Sequence, residues 1–167
     1  TVGGCFVAMG TKSYFYRDGR RVSNGVVYNN DSNALTVRDE EEAYAKIAQE
    51  LGMQTLKLGY MPEEMYFQSV VIEDGYGKLQ YKYKDNQVSF IQAKANASTS
   101  MVHSSDTNAM YQVRNPELRI IFEIYGEAIG ESRMRYETCF TYKGVYYHLF
   151  GELPKKEFEE MLKKIHL

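Results

Sequence analysis

With 167 residues, 44% of them hydrophobic and 25% charged, the chain suits one domain with a core of its own. A net charge of −2 gives nucleic-acid binding no bulk electrostatic support, and no run approaches the roughly 18 apolar residues of a membrane span. Two cysteines exclude a disulfide scaffold: Cys5 and Cys139 are either separate buried thiols or, in an oxidising space, one bridge closing a very long loop.

The numbering opens at Thr1 without a methionine, and residues 2–9 are apolar and glycine-rich. This reads either as the start of a piece with an anchor or signal segment ahead of it, or as an ordinary N-terminal strand. Val2-Gly-Gly-Cys5 loosely resembles a lipoprotein cleavage box, although the apolar residues directly after Cys5 fit it badly. Arg17-Asp18-Gly19-Arg20 and Ser23-Asn24-Gly25 are turn chemistry. Short strands are expected at 12–17 and 25–29, with a helix over 5–17 as the alternative, and a polar loop at 29–33.

The acidic run 39–42 opens the first helix, with Asp39 as N-cap and Glu42 three residues on. Carboxylates there complement the helix dipole, which accounts for the run without a cation. Ala43, Tyr44, Ile47, Ala48 and Leu51 form the apolar stripe, and Gly52 is a natural stop. Residues 56–62 cross into the sheet, 66–73 read as a strand and 74–77 as a turn. A hairpin follows in which Leu79, Tyr81 and Tyr83 alternate with polar residues. Asp85-Asn86 is its expected turn, placing Val88 opposite Tyr83 and Phe90 opposite Tyr81.

Between residues 94 and 115 the composition shifts to Ala, Ser, Thr and Asn, and a long exposed loop is expected. Leu118, Ile120, Phe122 and Ile124 make the next strand, and 126–132 turn the chain. Met134, Tyr136, Thr138, Phe140 and Tyr142 then share one face of a strand, and Lys143-Gly144 supplies a two-residue connection. That register pairs Tyr142 with Val145, Phe140 with Tyr147 and Thr138 with Leu149, and turns Tyr146 and His148 to the other side. Pro154 can begin a helix whose stripe is Phe158, Met161, Leu162 and Ile165. The expected fold class is α+β: an antiparallel β-sheet built from hairpins, with two amphipathic helices packed on one face.

Groups that could carry chemistry are scattered. The sequence has no glycine-rich phosphate loop, nucleophile elbow or paired metal-ligand spacing. His103, His148 and His166 stand in unrelated contexts, and no catalytic, cofactor-binding or metal residue is assigned. Cys139 should lie cross-strand from His148 without a visible orienting group, and His103-Ser104-Ser105-Asp106 is a neighbourhood in sequence only. Fifteen tyrosines, with no tryptophan, are the one compositional excess. Pairs such as Tyr14 and Tyr16, or Tyr81 and Tyr83, share a strand face; tyrosine favours both strands and recognition surfaces. If a binding surface exists, it is the sheet face carrying Tyr146, His148 and Lys82, with the 94–115 loop at its edge.

Five stretches in order carry a family resemblance: Asp39-Glu-Glu-Glu-Ala-Tyr-Ala-Lys-Ile47, Leu58-Gly-Tyr-Met-Pro-Glu-Glu-Met65, Leu79-Gln-Tyr-Lys-Tyr-Lys-Asp-Asn86, Phe140-Thr-Tyr-Lys-Gly-Val-Tyr-Tyr-His-Leu-Phe-Gly151 and Lys156-Glu-Phe-Glu-Glu-Met-Leu-Lys-Lys-Ile165. Over residues 39–167 the chain resembles the domain of unknown function 4367, found in membrane-anchored proteins of Gram-positive gut bacteria. The resemblance implies an extracytoplasmic domain at 39–167, a membrane-proximal extension at 1–38, and attachment to the membrane only through an upstream anchor. It brings no established catalytic residues and no cofactor. The function expected is a non-enzymatic sensor or interaction domain, anti-sigma-like signalling being one form, with an unidentified protein or small ligand as partner. The alternative is a binding module holding an apolar, peptide or glycan ligand between sheet and helices.

Overall fold

The computed structural model describes residues 16–17, 20–21, 28–29, 37–73, 75–94 and 109–167, with side chains from residue 40 onward. Three two-residue strands come first: β1 (Tyr16–Arg17), β2 (Arg20–Arg21) and β3 (Tyr28–Asn29). β1 and β3 fall within the expected short strands, whereas β2 starts at Arg20, inside the expected turn, and pairs back on β1; Cys5 and Tyr14 lie outside the described residues. Helix α1 (Val37–Leu51) precedes β4 (Met65–Glu73), β5 (Tyr76–Tyr83) and β6 (Asn86–Lys94). Strands β7 (Tyr111–Asn115), β8 (Ile120–Ala128), β9 (Met134–Tyr142) and β10 (Val145–Glu152) follow, and α2 (Lys155–Lys163) ends the chain.

The seven longer strands are antiparallel throughout, in the order β4-β5-β6-β10-β9-β8-β7, and the short strands extend the β4 edge as β2-β1-β3. Two meanders, β4–β6 and β7–β10, meet where β10 pairs with β6. One face buries alternate residues of every long strand, and both helices lie on it. Ile47 of α1 sits over β5, and Phe158 of α2 meets the Tyr136 ring of β9 at 5.7 Å. Rings run across four strands on that face: Phe90 to Tyr147 at 6.1 Å, Tyr147 to Phe140 at 5.0 Å and Phe140 to Phe122 at 4.7 Å. Each such ring removes about 150–250 Å² from water, at about 25 cal/mol per Å².

The second hairpin has the expected register, including Phe140 against Tyr147. Lys143 and Gly144 take φ of +49° and +79°, the two left-handed positions a tight hairpin turn of the primed type needs. The α2 stripe is also as expected, with Phe158, Met161, Leu162 and Ile165 fully buried. Gly52 stops α1 at φ +60°.

Several expectations are corrected, among them Leu118, which lies in the turn before β8, and 126–128, which continue β8 into the expected turn. Helix α1 starts at Val37, so Asp39 lies inside its first turn rather than capping it. The first hairpin turns at Lys84 and Asp85, with Lys84 at φ +53°, so Val88 faces Tyr81 and Phe90 faces Leu79. That two-residue shift preserves every face because side chains repeat with period two. Strand β5 begins at Tyr76, inside the expected turn, because Tyr76 already pairs with Glu73. Residues 111–115 form a strand within the expected loop, since Tyr111, Val113 and Asn115 alternate inward against β8.

A bulge at Gln68 shifts the phase of β4, so Met65 and Phe67 point into the core before it, and Val70 and Ile72 after it. Between sheet and α1, the Gln92 side chain accepts from Leu56 N (3.1 Å) and donates to Leu56 O (2.8 Å), satisfying the crossing segment's backbone.

Candidate functional site

Tyr146 and His148 stand two residues apart on β10, on the sheet face opposite the helices. His148 pairs with Cys139 across the β9–β10 ladder as expected. The orienting group that sequence reading missed is Glu137, two residues from Cys139 on the same face. Its carboxylate lies 2.9 Å from His148 Nε2. The His148 ring also sits 4.5 Å from Phe150, over which the Arg135 guanidinium lies at 5.0 Å. Lys82 shares this face but not this cluster. It pairs with Gln87, whereas His148 pairs with Ile91 from the other side of β6, an offset of four residues or roughly 14 Å along the strand at about 3.4 Å per residue.

The surroundings of Cys139 disfavour its thiolate form. Burial pushes the Cys139 thiol above its usual range, and a hydrogen bond with Tyr146 offsets this only in part. A protonated, half-buried thiol is a poor nucleophile near neutral pH. No group of three or more His, Cys, Asp or Glu side chains that could hold a metal occurs among the described residues. His103, Ser104 and Asp106, with the rest of 95–108, lie outside the described residues, as does any pairing with Cys5.

A second place gathers polar groups at the end of the sheet. A cleft of about 390 Å³ opens between the β5–β6 turn, the start of β9 and the start of α2. Tyr83, Met134, Tyr136 and Leu153 give it apolar walls, and Lys84, Arg133, Lys155 and Glu152 supply charge. Arg133 grips Glu152 with two donors: Nη2 reaches Oε2 at 2.9 Å, and Nε donates to Oε1. The register could have found this pair, because Arg135 faces Glu152 and Arg133 is the next residue along on that side. A second cleft of about the same volume is lined by Arg114, Pro116, Glu160, Lys163 and Lys164.

Beneath α1 the acidic run does more than complement the dipole. Tyr81 Oη donates to Glu40 Oε2 at 2.6 Å, Tyr44 and Tyr81 hydroxyls meet at 3.0 Å, and Leu58 N donates to Tyr44 Oη at 3.0 Å. Burial raises the Glu40 pKa, and Glu41 adds to the rise. The bonds from Tyr81 and Tyr44 and the Lys57 charge pull it back in part. Elsewhere in the interface of sheet and helices, Ile47, Leu79, Phe90 and Phe158 are fully buried within one hydrophobic cluster.

No helix among the described residues is long and apolar enough to cross a membrane. No curated protein and no solved structure matches the chain. The model of the family described as Domain of unknown function 4367 matches residues 55–165, which takes in β4 to α2 and leaves the Asp39–Ile47 motif ahead of it. With about two thirds of its length inside that match, the chain belongs to the domain of unknown function 4367 family.

Proposed function

We propose that this domain is a non-enzymatic interaction or sensor module, carried outside the cytoplasm by a membrane-anchored bacterial protein, and that it recognises its partner with the outer face of the sheet. The observation supporting this is the asymmetry of that sheet. One face is covered by α1 and α2, while the other carries half-buried Tyr146, His148 and Phe150 beside Glu137 and Arg135. Tyrosine, arginine and histidine in such a mixture suit a recognition surface, offering apolar bodies with polar tips.

The test is made in the full-length protein in its own host, comparing transcript profiles of the deletion strain, the wild type and a Tyr146→Ala/His148→Ala variant. The variant should accumulate to wild-type level yet reproduce the deletion profile. A variant indistinguishable from wild type would remove the outer face from the reading. Turnover by the purified domain that disappears on changing Glu137 or His148 would remove the non-enzymatic part.

A further inference from the structure

We propose that the cleft between the β5–β6 turn, the start of β9 and the start of α2 binds an organic carboxylate, with Arg133 as the group that reads it. The inference is independent of the outer-face reading, because the cleft lies at the end of the sheet and shares no residue with that surface.

Charge supports it first. Three cations and one carboxylate line the cleft of a chain whose net charge is −2. Lys84, Arg133 and Lys155 keep 57%, 60% and 56% of their side-chain surface in solvent and rest in ion pairs with Glu64 (3.2 Å), Glu152 and Glu159 (4.0 Å), exposed pairs weak enough for the cation to exchange its partner for a ligand. Glu152 is held more closely, at 16%. The positive end of α2, whose cap Pro154 makes no side-chain bond, adds to the same field.

Geometry supports it next. The planar guanidinium fork matches a carboxylate with two parallel donors, a fit that a lysine cannot reproduce. Glu152 already occupies that fork and displays the binding geometry a ligand carboxylate would adopt. Binding is therefore an exchange, in which the incoming carboxylate displaces or shares Glu152 at Arg133. Tyr136 and Leu153 offer an apolar wall to the body of the ligand, and Asn86 and Ser132 offer neutral polar contacts. The volume of about 390 Å³ is near the small end of ligand sites and suits a short peptide end or one to two sugar rings.

The experiment is calorimetric titration of the chain at low ionic strength with three probes: N-acetyl-alanyl-alanine, glucuronic acid and inorganic phosphate. The methyl ester of the dipeptide is the neutral control. At least one carboxylate probe should bind saturably and the ester should not; whichever carboxylate binds better identifies the source of the ligand. Arg133→Ala should abolish binding, and Arg133→Lys should weaken it about tenfold by losing the fork. Glu152→Gln releases Arg133 and should tighten binding about threefold to fivefold. A purely structural ion pair predicts no gain from that change, and circular dichroism of each variant separates lost folding from lost binding. Saturation by neither carboxylate up to about 20 mM, binding by phosphate alone, survival in Arg133→Ala, or weakening in a folded Glu152→Gln would each overturn the assignment.

Discussion

On the helix-covered face, Phe90, Tyr147, Phe140 and Phe122 touch ring to ring across four strands. On the outer face every described aromatic contact of this patch involves a polar or charged neighbour. Tyr146 shares a hydrogen bond with Cys139, Phe150 lies under Arg135, and Tyr125 donates to Glu123 at 3.3 Å. The same residue types occupy both faces, so composition does not separate them; position parity along each strand does. A ring at an inward position packs into the core, whereas one at an outward position keeps part of its surface exposed.

That contrast is broken most directly from the inside. Phe90→Ala removes a fully buried ring from the middle of the row and should cost about 3–5 kcal/mol, read as a lowered urea midpoint at unchanged slope. A cost below about 1 kcal/mol would mean the covered face is not the core.

Crowding the same face should cost less. A Cβ on Gly77 would stand 2.6 Å from Ile47 Cγ1, so Gly77→Ala forces α1 off the sheet and should destabilise by about 1–3 kcal/mol. Ile47→Val in the same chain should recover part of that loss, and a double-mutant cycle measures the coupling. Simple additivity would place the strain elsewhere.

A smaller effect, with a definite sign, comes from Glu40. Burial raises its folded-state pKa above the ordinary 4.5, so folding favours the protonated carboxyl. Its contribution to stability is full below that ordinary value and is lost as pH rises through the raised one. Glu40→Gln keeps an acceptor for Tyr81 and should gain stability relative to wild type between about pH 4 and pH 7. The charged groups facing it are Glu41 and Lys57, beside the neutral Tyr44 and Tyr81 hydroxyls. Wild type gaining on the variant over that range would reverse the argument.

The outer face should give the smallest change. His148→Ala removes contacts to Glu137 and Phe150 from a side chain 17% exposed and should shift stability by about 1 kcal/mol, well below the loss from Phe90→Ala. A loss as large as that of Phe90→Ala would mean the two faces are equally structural.

Local chemistry is legible in the sequence. Lys143-Gly144 sets one hairpin and its alternation sets the faces, while the Phe158 stripe sets the last helix. At the first hairpin, Lys84-Asp85-Asn86 offers two overlapping two-residue turns, and alternation alone cannot choose between them because both keep the parity. The Gln68 bulge leaves no compositional mark, and β7 is hidden in a polar stretch because Gln112 and Arg114 face outward. The insertion of β10 beside β6 depends on contacts far apart in sequence. Of the candidate surface, Tyr146 and His148 are brought together and Lys82 is not, since the distance between strands two apart is set by the register rather than by the faces. The Glu137–His148 and Arg133–Glu152 pairs were latent in the hairpin register as diagonal neighbours. The Glu40–Tyr81 bond was not, because it joins a helix to a strand across the core.

Asn115 sits fully buried on the marginal strand β7. Its Nδ2 donates to Leu162 O and Ile165 O, both at 2.8 Å, while its Oδ1 accepts from Leu118 N at 2.9 Å. Lys57 and His166 exchange a second pair of backbone bonds close by. Chain ends are normally where a domain frays first. Here the last helix cannot peel away without orphaning two carbonyls and a buried amide, so the tail acts as a keystone and the outermost strand leaves only when it does.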